Sequence, residues 1–111
     1  MKTPTPLQLS HIGTPYCLMG RANCCGTSLV GYANTTFAHL IACFGPPHER
    51  EGDKVTAHWG FRCADGTLFT VYDWKESATP LGLYRWHIGG NTLKALEAFT
   101  AQTGVEAYNP Y

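Results

Sequence analysis

The chain has 111 residues, 44% of them hydrophobic and 13% aromatic, which suits one domain around a single packed core. Eight Lys and Arg balance eight Asp and Glu, and charged residues make up only 14%, against a usual value of about 25%. That balance excludes a general nucleic-acid coat, which needs a basic surface to neutralise phosphates, but leaves room for a compact anion pocket built from a few groups.

No apolar run approaches the roughly 18 residues of a membrane span. Residues 1–10 lack the apolar middle of a secretory signal, so a cytoplasmic protein without a membrane partner is expected. Residues 1–25 hold Pro4, Pro6, Gly13, Pro15 and Gly20, which break any period, and carry only Lys2 and Arg21 as charges. They read as an N-terminal arm, extended or looped around a short strand, that covers the core or reaches a neighbouring subunit. Residues 26–111 form a single α+β domain. Thr27 to Tyr32 is its first strand. A helix follows, capped by Asn34 or Thr35, with Phe37, Leu40, Ile41 and Phe44 on one helical face. Gly45 ends it in a left-handed conformation, and Pro46 and Pro47 forbid continuation.

Residues 48–53 are a polar loop. From 54 to 63 the chain alternates, with Val55, Ala57, Trp59, Phe61 and Cys63 on one side and Thr56, His58, Gly60 and Arg62 on the other, the period of a strand. Asp65 and Gly66 make a hairpin turn. The return strand spans 67–74, with Leu68, Thr70, Tyr72 and Trp74 on one face and Phe69, Val71, Asp73 and Lys75 on the other. Apolar residues on both faces imply a sheet covered on one side and partly used on the other. After a loop with Pro80 and Gly82, Tyr84 to Ile88 is a third strand. Gly89, Gly90 and Asn91 then turn into a second helix, Thr92 to Thr103, with Leu93, Leu96 and Phe99 on its apolar side and Gly104 as its stop. Residues 105–111 fit no single element. The order strand, helix, hairpin, strand, helix predicts a small antiparallel sheet with two helices packed mainly on one face.

Five cysteines, Cys17, Cys24, Cys25, Cys43 and Cys63, form no Cys-x-x-Cys pair and read as reduced thiols. A zinc site from Cys17, Cys24, Cys25 and His11 is the alternative, but its spacing matches no common pattern, so neither a metal nor another cofactor is expected. The chain has no nucleophile elbow, no zinc-protease helix, no phosphate-binding Walker loop and no dinucleotide fingerprint. His39 sits beside the apolar face of the first helix and reads as a packed or surface residue; Asp73 and Glu76 read as solvated. A non-catalytic protein is therefore expected.

The chemistry with the best support is anion and aromatic recognition. A helix start offers unpaired N–H groups and a partial positive charge, so Gly89, Gly90 and Asn91 would meet a phosphate there. Arg85 and Lys75 would pair with its oxygens, while Tyr72, Trp74, Trp86 and His87 supply rings for stacking. The alternative is that these glycines are a plain turn and the rings are core. The same Trp, Tyr and Arg residues also suit a protein interface, and low charge with an aromatic sheet suits a homo-oligomer.

The run Gly26-Thr27-Ser28-Leu29-Val30-Gly31-Tyr32, the Thr35-Thr36-Phe37 helix start, Leu40, Phe44-Gly45 with Pro47, and Lys54 with Trp59 form a recognisable series. It continues through Asp65-Gly66, Thr70-Val71-Tyr72-Asp73-Trp74-Lys75 and Trp86-His87-Ile88-Gly89-Gly90. The series resembles a family of small phage and large-DNA-virus proteins over residues 26–98. The Cys-bearing arm departs from that family's short start, and the loop between Lys75 and Trp86 is shorter. What the resemblance implies is a viral origin more than a mechanism. Small non-catalytic phage proteins counter host defence by sequestering a nucleotide messenger or by blocking a host protein. The expected function is accordingly to hold a small anionic ligand, such as a nucleotide second messenger, without turning it over. The alternative is a protein–protein inhibitor or assembly factor.

Overall fold

A computed structural model describes residues 18–21, 27–48 and 54–110. Its elements are β1 (Leu18–Arg21), β2 (Ser28–Thr35), α1 (Phe37–Phe44), β3 (His58–Cys63), β4 (Leu68–Tyr72), β5 (Tyr84–Gly90), α2 (Lys94–Thr103) and β6 (Ala107–Tyr108). The strands form one sheet in the order β1-β3-β4-β5-β2-β6, with every neighbouring pair antiparallel. This is the α+β architecture expected from the order of elements. β1 comes from the segment read as an arm and joins the sheet along β3. The rest of that arm, with Cys17, Cys24, Cys25 and His11, lies outside the described residues, as do residues 49–53. Among the described residues no helix is long and apolar enough to cross a membrane.

Period-two alternation divides the sheet into two faces. Trp59, Phe61 and Cys63 of β3, Phe69 and Val71 of β4, and Trp86 and Ile88 of β5 are buried, and with Leu40, Cys43, Phe44, Ala95, Ala98 and Phe99 of the helices they make the core. Two indoles cross edge-to-face at its centre, Trp59 on Trp86, with centroids 5.8 Å apart. Each finds a backbone acceptor: Trp59 Nε1 donates to Gly45 O (3.0 Å) and Trp86 Nε1 to Thr35 O (3.2 Å). A buried indole N–H left unpaired would carry a desolvation penalty of about 1–3 kcal/mol, so these bonds let two large rings stay fully buried.

The helix ends follow local chemistry. Thr36, one or two residues beyond the expected cap, accepts from the His39 N–H at the start of α1. Gly45 stops α1 at φ 79° and donates its N–H to Ile41 O. Gly104 stops α2 in the left-handed conformation. His39 Nε2 lies 2.8 Å from Thr103 O and ties the two helices together, a packing role as expected.

Three expectations about the elements need further correction. The strand expected over 54–63 starts only at His58, because the Thr56 and Ala57 N–H groups turn to the Asp73 carboxylate instead of continuing a regular ladder. Gly89 and Gly90 are not a turn: they are the last two residues of β5, paired with Thr70 and Phe69 of β4 and with Leu29 and Ser28 of β2. The apolar side of α2 is also rotated. Leu93 precedes the helix and is 62% exposed, whereas the small Ala95 and Ala98 press against the sheet. That close approach is why Gly90 is glycine, since a Cβ there would fall on the Cβ of Ala95 and 3.1 Å from Leu68 O.

Gly90→Ala is expected to destabilise the fold by about 1–3 kcal/mol through overpacking. Gly82→Ala, where an added Cβ meets nothing within 4 Å, should change stability by less than about 0.5 kcal/mol. Urea unfolding of both variants checks this, and equal stabilities would refute the packing argument.

Candidate functional site

Register brings a line of rings together on the face away from the helices. His58 of β3 pairs with Tyr72 of β4, Tyr72 with His87 of β5, His87 with Tyr32 of β2, and Tyr32 with Tyr108 of β6. Tyr72 stacks on His87 at 5.4 Å and 27°, and Tyr32 meets the other side of His87 edge-on at 5.1 Å. Tyr108 tilts against Tyr32 at 6.1 Å. Beside this row runs a second row of smaller residues, Gly60, Thr70 and Gly89, in mutual register. The contrast in side-chain size leaves a trough. One hollow of about 320 Å³ lies over Thr70, Gly89, Tyr72 and His58. Another of about 410 Å³ has Tyr32, His87 and Tyr72 along it, with Leu29 and Trp74 completing its lining.

Cations stand around these rings. The Arg85 guanidinium lies 4.2 Å from the centroid of Tyr32. Lys54 Nζ and Lys75 Nζ lie 5.9 and 6.0 Å from the Trp74 ring. A cation over a ring face is attracted by its quadrupole, so the three charges are drawn to the rings. Trp74 remains 41% exposed and Leu29 40%.

Asp73 sets this geometry from beneath. It is fully buried, against the expectation of a solvated acid; its Oδ1 accepts from the N–H groups of Thr56 (2.7 Å) and Ala57 (3.2 Å), and its Oδ2 accepts from the Thr56 hydroxyl. Thr56 Oγ1 in turn lies 2.8 Å from Thr79 Oγ1. Backbone bonds from Asp73 N to Ala57 O and from Lys75 N to Lys54 O extend the pairing past the end of β4. Lys75 is held at φ 57°, the only non-glycine residue with positive φ among those described. Tyr84 completes the frame: its hydroxyl accepts from Trp74 N (3.2 Å) and donates to Glu76 Oε2 (3.2 Å).

His87 is the polar member of the ring row. Its Nδ1 is buried and has no hydrogen-bond partner among the described residues. Burial, and secondarily the neighbouring Arg85 charge, hold its pKa below the ordinary 6.5, while Asp73 and Glu76 pull weakly the other way. Burial likewise raises the Tyr72 hydroxyl, so both stacked rings are neutral at physiological pH.

The sequence-derived site divides between the two faces. Tyr72, Trp74, Lys75, Arg85 and His87 gather on or beside the helix-free face. Trp86 is 0% exposed and belongs to the core, so it stacks on no ligand. Gly89 and Gly90 are buried, and their N–H groups do not form an open anion cradle. Gly89 is instead close under Thr70 and Tyr72, where it has no room for a side chain. Asn91 closes the hairpin from the side, accepting from Leu68 N (3.0 Å) and donating to Gly66 O (3.4 Å). The turn-and-helix-start site is thereby overturned, since the Lys94 N–H that opens α2 is taken by Thr92 Oγ1 (3.1 Å) and the named cations sit elsewhere. Tyr32, His58, Leu29 and Lys54 join the site without having been picked out. Alternation flagged the face of His58, but cross-strand register, which joins residues far apart in sequence, is needed to place all four.

No protein-family model, curated protein or solved structure matches the chain.

Two measurements test the geometry. A left-handed residue with a Cβ is strained by roughly 1–2 kcal/mol, partly offset by the extra freedom glycine has when unfolded. Lys75→Gly should therefore be more stable than Lys75→Ala by about 0.5–1 kcal/mol in urea unfolding, and an Ala variant at least as stable would reject the strain. For His87 the folded pKa lies below the unfolded one, so the unfolded chain binds a proton first as pH falls. That stability is present above pH 6.5 and is lost on acidification below it. The wild-type advantage over His87→Gln should accordingly shrink from pH 7.5 toward pH 5; parallel curves would mean that His87 titrates alike in both states.

Proposed function

We propose that this protein binds a small anionic ligand carrying a flat ring on the helix-free face of its sheet and holds it chemically unchanged. The observation that carries the reading is the convergence of Arg85, Lys54 and Lys75 on an aromatic trough lined by Tyr32, Tyr72, Trp74 and His87. Rings suit a planar group and the flanking cations suit phosphate or carboxylate oxygens, which form charge-assisted hydrogen bonds with Arg and Lys. A hollow of about 410 Å³ falls in the range of small-molecule sites. In a chain of zero formal charge, three cations beside one aromatic trough favour a compact anion over an extended nucleic acid.

The reading invokes no covalent step. Cys43 is buried and its thiol is pushed up to about 11, so it is a poor nucleophile, and the Asp73 carboxylate is committed to Thr56 and Ala57. Combined with the resemblance to small viral proteins, the proposal becomes sequestration of a nucleotide messenger, with an anti-defence role. Leu81 and Leu83, 74% and 77% exposed on the loop after Trp74, favour a second reading in which this edge meets a protein, whether a host target or another copy.

Calorimetry with nucleoside mono- and diphosphates, cyclic nucleotides and ADP-ribose separates these readings. At least one ligand should bind at physiological salt, and mass spectrometry should recover it intact. Arg85→Ala and Lys75→Ala should each weaken it by roughly tenfold, the loss of one charge-assisted bond, while Leu81→Asp with Leu83→Asp leaves affinity alone. Silence across the panel, or a chemically altered ligand, would sink the proposal.

A further inference from the structure

We propose that His87 reads the edge of a nucleobase lodged in the hollow that Leu29 and Trp74 help to line, which makes the ligand a nucleobase phosphate rather than a ring-free anion; the inference rests on the binding reading above. A neutral imidazole carries its one proton on either nitrogen, and the buried surroundings decide which. Nδ1 is shielded from water and has no acceptor among the described residues, so a proton there would be an orphaned donor. An orphaned buried N–H is rarer and costlier than an unused lone pair. The proton therefore belongs on Nε2, which makes no hydrogen bond to any described residue. Its flanking rings hold it in place, with Tyr72 stacked on one side at 5.4 Å and Tyr32 edge-on at 5.1 Å. His87 is thus a rigid ring with a single N–H to donate, lining a hollow whose other walls are aromatic or aliphatic.

Such a site rewards a flat group with an acceptor on its rim. Every nucleobase has one, whereas a sugar phosphate or inorganic phosphate would leave the apolar lining of that hollow uncovered. The charges sit where the rest of a nucleotide would lie. Arg85 caps the Tyr32 end, and Lys54 and Lys75 flank Trp74 at the other. A base held edge-on to His87 in that hollow can direct its phosphates to either end. The charged groups facing His87 are Arg85 from its own strand and Asp73 and Glu76 from the end of β4.

The test compares the four nucleoside 5′-monophosphates with ribose 5-phosphate and inorganic phosphate by calorimetry. Wild-type protein should bind at least one nucleotide roughly tenfold or more tightly than ribose 5-phosphate, from base stacking and one hydrogen bond. His87→Phe keeps a ring but has no donor, and should lose about tenfold for that nucleotide with no change for ribose 5-phosphate. His87→Gln restores an N–H and should recover most of the affinity, with melting temperatures confirming that both variants fold. Equal affinity for nucleotides and ribose 5-phosphate, with both weakened by Arg85→Ala, would overturn base reading while leaving the anion site standing. Equal losses in His87→Phe and His87→Gln, or none in either, would also overturn it. If none of these probes binds at all, both this inference and the reading beneath it fall.

Discussion

The helix-free face depends on one buried carboxylate. Asp73 lies where β4 has lost its regular partner, and removing such a group from water without partners would be expensive. Its oxygens are instead met by two backbone N–H groups and a hydroxyl, all from Thr56 and Ala57. Those donors exist in the right place only if residues 54–57 fold over Asp73. Burial of the acid and ordering of that segment are therefore a single event. Lys54 and Lys75 are joined through the backbone in the same step, and Trp74 lies between them in sequence with its N–H on Tyr84. Lys54, Trp74 and Lys75 at the surface are thus positioned by a carboxylate buried beneath them.

Much of this fold is legible in the residues. Alternation from Trp59 to Cys63 and from Leu68 to Tyr72, with Asp65 and Gly66 between, specifies a hairpin and its inner face, because a period of two has no other regular solution. The first helix announces itself through its apolar face and the glycine at its end. Gly89 and Gly90 mislead, because two consecutive glycines usually mark a turn. Here they answer to two different neighbours, one on each face of the sheet: Thr70 above Gly89 and Ala95 against Gly90. Local sequence cannot distinguish a glycine needed for backbone freedom from one needed for space. The difference lies in which element later packs there.

The site was half legible for a related reason. Tyr72, Trp74 and Lys75 sit close together in the chain, as do Arg85 and His87, and their residue types flag them as binding groups. Parity along β5 already separates Arg85 and His87 from Trp86, yet only burial tells which parity faces the helices. Tyr32 and His58 escape because nothing in their own segments links them to His87. They meet it through pairing between strands distant in sequence, with a bulge between Leu29 and Gly31 shifting the count on β2. Without that irregularity the strict alternation of β2 would place Leu29 and Tyr32 on opposite faces. The bulge puts both beside the same hollow.

The distribution of tryptophan links stability to recognition. Trp59 and Trp86 are sealed in the core and spend their N–H groups on Gly45 and Thr35. Trp74 has its backbone fixed by Tyr84 but leaves its ring exposed between two ammonium groups. An exposed indole with paired cations adds little to a core, since surface contacts of this kind contribute about 0.5–1 kcal/mol each. The supporting frame of Asp73, Thr56 and Tyr84, together with a strained Lys75, is more machinery than such a contact needs for stability alone. Strain and buried polar bonds that converge on an exposed ring fit the binding role proposed for Trp74, because a group ordered before its ligand arrives loses less entropy on binding.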